Sequence, residues 1–244
     1  MLKSRGGGEF LVSSSRGYQI DAAIIKQNTL RNLWVSGSFC RIPDTLSLLA
    51  SLQHTQKIFV AVDPWLFKSY AEASFLLGKR HCHLLSRWFI LEWLRSYLGF
   101  ISLCGFGHAY DSNGTAIMSP KYEATYEFNV RNAIADSKFA WRADVVEAYK
   151  RSVRQLQNKR ASVTFIKLPL HPEAYKYDIV RRNFCEFDKF INSLAKELNV
   201  EVIGTFFPPK DLTAGDFYDE IHIRKSGLRK VLKVKQSSAM EIGG

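Results

Sequence analysis

Near the end of the chain, Gly215-Asp216-Phe217-Tyr218-Asp219-Glu220-Ile221-His222 sets an aspartate and a histidine three positions apart, beside two aromatics. On a loop, a carboxylate at that spacing can hold one imidazole nitrogen and leave the other free to take a proton. This is the base half of a Ser-His-Asp arrangement, which is defined by roles and not by order along the chain. The plainer reading is a surface turn with Asp219 and His222 in water. The choice depends on whether a nucleophile is brought to them, and the nearest candidates in type are the hydroxyls of Ser13-Ser14-Ser15, followed by Arg16, some two hundred positions upstream.

The elements around these residues explain how they can meet. Short apolar runs at Glu9 to Val12, Leu33 to Val35, Lys57 to Val62, Ser162 to Leu168 and Val200 to Phe206 read as strands. Helical patterns lie between them: about ten residues opening at Pro43, then Ala143 to Gln157, then Phe184 to Leu198 with Phe187, Phe190, Ile191, Leu194 and Leu198 on one face. A basic, helix-compatible stretch, Arg224 to Lys235, closes the chain. Alternating strands and helices predict a three-layer α/β/α sandwich with about five parallel strands in flavodoxin-like order. The rhythm breaks from about 65 to 132, which reads as a helical insertion after the third strand, and the whole chain, 1–244, reads as one domain. In such a sheet ligands bind at the carboxyl ends of the strands. That edge receives Ser13 to Ser15 from the first strand, Asp63 from the third, His171 from the fourth, and Asp219 with His222 from the fifth.

Composition bounds the partners. The 244 residues are 46% hydrophobic, 13% aromatic and 23% charged, which describes a globular chain, and the formal charge of +11 suits an acidic partner. No nucleic-acid motif accompanies that charge, so nucleic acid is not expected. Four cysteines, at 40, 82, 104 and 185, form no CxxC pair, and His81-Cys82-His83 has no second ligand group nearby, so no metal is expected. Leu84 to Cys104 is apolar enough to suggest a membrane span, but it carries Arg87, Glu92 and Arg95. It reads as an amphipathic helix on the core, or else as one lying peripherally on a membrane surface. Met1 to Glu9 has no apolar leader segment.

Three stretches together resemble the SGNH (GDSL-like) hydrolase superfamily, and within it the bacterial members whose first block reads Gly-Ser-Ser-Arg. They are Leu11-Val12-Ser13-Ser14-Ser15-Arg16, Val62-Asp63-Pro64-Trp65-Leu66-Phe67 and Asp216-Phe217-Tyr218-Asp219-Glu220-Ile221-His222. Asn32-Leu33-Trp34-Val35-Ser36-Gly37-Ser38 falls where such proteins carry a second, glycine-bearing block. The resemblance implies Ser15 as nucleophile, His222 as base and Asp219 as its orienting carboxylate. It also implies an oxyanion site made by backbone N–H groups after Ser15 and by Gly37, and it needs no cofactor. It further implies an acyl ester substrate, often an acetylated carbohydrate of the bacterial cell envelope. Relatives of that kind begin with a membrane anchor, so a chain opening almost on its first strand is expected to be truncated, or else cytoplasmic.

Two positions depart from the pattern. Ser13 stands where the block opens with Gly, which permits close backbone approach and positive φ at less cost. Asp63 stands where the superfamily often has an oxyanion-binding Asn, and a carboxylate there would repel the oxyanion. A cap on the next helix is the favoured use of Asp63. These departures keep a second class open, a catalytically silent domain that binds polysaccharide or assists assembly. Ser14 could serve as nucleophile in place of Ser15, and Arg16 could bind an anion or pair with a carboxylate. His171 could line the site or belong to a turn. Tyr18, Trp34 and Trp65 read as packing aromatics.

Overall fold

Five runs rich in Val, Ile, Leu and Phe form one parallel sheet: β1 (Gly8–Ser13), β2 (Arg31–Trp34), β3 (Thr55–Val62), β4 (Ser162–Lys167) and β5 (Glu201–Gly204). Their order across the sheet is β2-β1-β3-β4-β5, the flavodoxin-like order. The computed structural model describes residues 8–27, 30–34, 42–51, 55–64, 67, 109–110, 116–117, 128–139 and 141–233. Ser15, Trp34, Asp44, Thr55, Gln56 and residues 109–110 and 116–117 are described by their backbone only. The expected insertion lies largely outside the described residues, as do Gly37, Trp65, His81-Cys82-His83 and the apolar stretch Leu84 to Cys104. Within it, Ala109–Tyr110 pairs antiparallel with Ala116–Ile117.

Strand periodicity decides which residues enter which layer. Phe10 and Val12 of β1, Ile58, Val60 and Val62 of β3, and Val163 and Phe165 of β4 bury on one face. Among the described residues it is covered by the helices α1 (Ile42–Ser51), α3 (Ala143–Asn158) and α4 (Asp178–Leu198), with the short α2 (Val130–Ser137) alongside. Leu11, Phe59, Ala61 and Ile166 point the other way, onto Ile20, Ile24 and Ile25 of the β1–β2 connection and onto α5 (Lys225–Leu232). Among the described residues the second layer is therefore one helix and a packed turn. Among the described residues no helix is long and apolar enough to cross a membrane.

Where the elements differ from their expected bounds, the causes are local. α4 begins at Asp178, six residues before the apolar period at Phe184 makes it visible, because its first turns expose Ile179, Arg181 and Arg182. β5 stops at Gly204 and does not run to Phe206. Gly204 has φ +76°, and a Cβ there would lie 2.4 Å from the Lys167 carbonyl oxygen, so only glycine ends the strand this way. Phe206 then turns into the core, fully buried.

Candidate active site

The Asp219–His222 spacing is explained by hydrogen bonds that fold the loop back on itself. One Asp219 oxygen accepts the backbone N–H groups of Ile221 (2.9 Å) and His222 (2.8 Å), an Asx-type turn. The other oxygen lies 2.5 Å from His222 Nδ1. Tyr218 N–H donates to the His222 carbonyl (2.9 Å), and Phe217 bridges Ile223, so the loop closes as a tight antiparallel ring. Asp216 anchors its base by accepting from Thr213 N–H, Ser226 Oγ and Lys230 Nζ.

Burial works to raise the Asp219 carboxyl. The hydrogen bond and charge of His222 and the two backbone donors outweigh it, and hold Asp219 below its ordinary value. Ionised Asp219 can only accept, so Nδ1 carries the proton, and in the neutral ring Nε2 holds the lone pair. That is the form in which imidazole is a base. A depressed carboxyl contributes stability that is complete above its unfolded value of 3.8 and is lost as pH falls through the lower folded value. Wild type should therefore lose stability on acidification below about pH 4. Asp219→Asn should flatten part of that slope in denaturant melts taken across about pH 2–6, whereas parallel slopes would mean that the pair is not formed in solution.

The residues after β1 meet this loop. Ser15 opens a one-turn 3-10 helix, Ser15–Gly17, directly beyond the strand end. Tyr18, buried, lies edge-on to the His222 ring with centroids 5.2 Å apart and planes at 87°. Gln19 Nε2 donates to the Tyr218 hydroxyl (3.2 Å), and Lys225 Nζ reaches Asp21 (2.9 Å). The turn itself is held from below by Asn32 of β2, whose Nδ2 lies 3.1–3.2 Å from the carbonyl oxygens of Gly17, Tyr18 and Ile20. Nothing in the sequence pointed to this clamp.

Each remaining candidate has a definite place. Ser14 Oγ donates to Asp63 Oδ2 at 2.6 Å, both groups buried, so Asp63 orders the serine turn. The expected cap on the helix after Asp63 falls on residues outside those described. Among the described residues Arg16 forms no ion pair with a carboxylate. Its buried guanidinium donates through Nη2 to the carbonyls of Leu168 and of Pro169 (2.9 Å), tying the serine turn to the end of β4. His171 is a turn residue. Its Nδ1 accepts from Glu173 N–H (3.2 Å), its ring packs between Phe128 and Phe217, and burial keeps it below the ordinary histidine value. Ser13 is extended and fully buried, and the close approach is supplied by Gly17, where a Cβ would lie 2.5 Å from that of Ser13. Serine at position 13 thus needs no positive φ.

Two acidic residues that no sequence pattern singles out belong to the same edge. Glu220 is buried, accepts Asn129 N–H (2.7 Å) at the start of α2, and gives its carbonyl to His171 N–H. Asp136 of α2 is in electrostatic reach of Arg16, Asp63, Glu220 and His222; burial raises its carboxyl, Arg16 opposes, and the two neighbouring carboxylates raise it further. Among the described residues no group of three or more His, Cys, Asp or Glu side chains could hold a metal.

No family model matches the chain, and no curated protein does. A solved structure described as "Crystal Structure of TesA" aligns over 92% of this chain and 94% of that one, at 11% identity and a TM-score of 0.37. The chemistry of the site rests on its own residues.

Proposed function

We propose that the protein is a serine acyl hydrolase or acyltransferase of the SGNH type, with Ser15 as nucleophile, His222 as general base and Asp219 as its orienting carboxylate. The observation that carries this reading is the 2.5 Å Asp219–His222 contact, set against Tyr18 three residues beyond Ser15. In the first half-reaction, His222 Nε2 takes the Ser15 hydroxyl proton as the oxygen bonds to the acyl carbon, and gives that proton to the departing alkoxide. In the second, water or a sugar hydroxyl repeats the attack on the acyl-enzyme and Ser15 leaves. Backbone N–H groups beside Ser15, with Gly37, are the proposed oxyanion donors. The proposed substrate is an O-acylated carbohydrate, on the strength of the Gly-Ser-Ser-Arg-like block alone.

A specific observation favours a second reading, a polysaccharide-binding or assembly domain without turnover. The Arg16 and Gly17 N–H groups already have acceptors on Ser14, its Oγ at 3.3 Å and its carbonyl at 3.1 Å, and Asp63 and Asp136 add negative charge at the same edge. Hydrolysis of p-nitrophenyl acetate separates the two. Ser15→Ala is expected to abolish turnover, whereas Ser14→Ala, which removes the hydrogen bond to Asp63 and the one accepted from Arg16 N–H, retains most of it. No wild-type turnover would favour the second reading, and loss in Ser14→Ala alone would move the nucleophile to Ser14.

A further inference from the structure

The Asp219 hydrogen bond fixes His222 at one point, Nδ1, and leaves the ring free to swing about that point. What limits the swing is the aromatic face or edge beside it. Tyr18 supplies one at 5.2 Å and 87°, and it is itself buried. Its backbone is equally constrained, because Asn32 Nδ2 binds the carbonyls of Gly17, Tyr18 and Ile20 together, and Gly17 is pressed onto Ser13. Three carbonyls converge on one buried amide, and the Gly17 carbonyl also accepts from Ile20 N–H (3.0 Å), so the turn is held both by its own backbone and from β2. That turn opens with Ser15.

We propose that Tyr18 is a positioning residue for the His222 imidazole, and that Asn32 holds Tyr18 in place so that residue 15 and the base are set by one rigid turn. The catalytic half of this inference rests on the proposed function; the positioning half does not. A displacement of about 1 Å in a reacting group can cost about a hundredfold in rate, so loss of the brace should appear in kcat and leave KM nearly unchanged.

The test pairs Tyr18→Phe, which keeps the ring, with Tyr18→Leu, which keeps apolar bulk without it. Tyr18→Leu is expected to lower kcat by about 10–100-fold and to broaden or remove the downfield Nδ1 proton resonance of His222, while Tyr18→Phe keeps both. Equal kcat and an unchanged Nδ1 resonance in Tyr18→Leu overturn the proposal. Should Tyr18→Leu fail to fold, wild type still decides: a nuclear Overhauser contact between the Tyr18 and His222 ring protons supports the brace, and its absence refutes it. If wild type has no esterase turnover, the catalytic reading fails, and the Nδ1 resonance and ring contact still judge the brace separately.

Discussion

His222→Ala is expected to lower p-nitrophenyl acetate hydrolysis by about 10⁴–10⁶-fold, and Asp219→Asn by about 10⁴-fold, with the fold intact in both. The alanine variant removes the only proposed proton acceptor. The asparagine variant is more informative, because it is nearly isosteric. Its side-chain oxygen can still accept the Ile221 and His222 N–H groups that shape the loop. What it loses is the negative charge that holds the proton on Nδ1. An Asn amide turned toward the ring donates, places the imidazole proton on Nε2, and leaves no lone pair there for the proposed nucleophile Ser15. Since members of such a unit act together, Asp219→Asn with His222→Ala should be hardly worse than His222→Ala alone. Additive losses would mean that the two residues act independently.

The second large effect is on stability and concerns Lys167. As the last residue of β4 its side chain is fully buried, with Nζ 2.7 Å from Asp188 and 2.6 Å from Asn192, above the Phe206 ring. Asp188→Ala strands an ammonium in the interior and should cost about 3–5 kcal/mol in urea denaturation. Replacing the pair, Lys167→Met with Asp188→Leu, should cost far less and can be neutral, because no charge then needs a partner. Burial already lowers the Lys167 value, against the pull of Asp188. In Asp188→Ala the neutral Asn192 acceptor remains but no opposing charge does, so burial dominates and the folded lysine sheds its proton before the unfolded one does. Stability of that variant should therefore recover toward wild type as pH rises through the alkaline range. A deficit independent of pH would assign the loss to packing and not to charge.

How far the sequence carried the reading differs by element. The parallel sheet was legible because Ile58 to Val62 is an unbroken apolar run and Ser162 to Leu168 a largely apolar one, as strands covered on both faces tend to be. The Asp219–His222 pairing was legible because the contact is local, three residues apart. What could not be read were contacts across long separations. An asparagine beside Leu33 and Trp34 gives no sign that it binds three carbonyls of a turn that precedes it. A basic residue beside Ser15 does not announce that its acceptors are the backbone oxygens of Leu168 and Pro169. Lys167 looks like the exposed end of a strand until α4 sets Asp188 and Asn192, one turn apart, over it. His171 and Asp63 arrived at the expected edge for topological reasons, and their uses there, an N-cap and an acceptor for Ser14, depend on side-chain directions that periodicity does not encode.

The central claim is that Ser15 is an activated nucleophile, and a fluorophosphonate probe tests it most directly, since it bonds only to a hydroxyl that has a working base. After labelling and peptide mapping, the account predicts one adduct, on Ser15, lost in Ser15→Ala and in His222→Ala and kept in Ser14→Ala. An unlabelled wild type, or an adduct that survives His222→Ala, would contradict it.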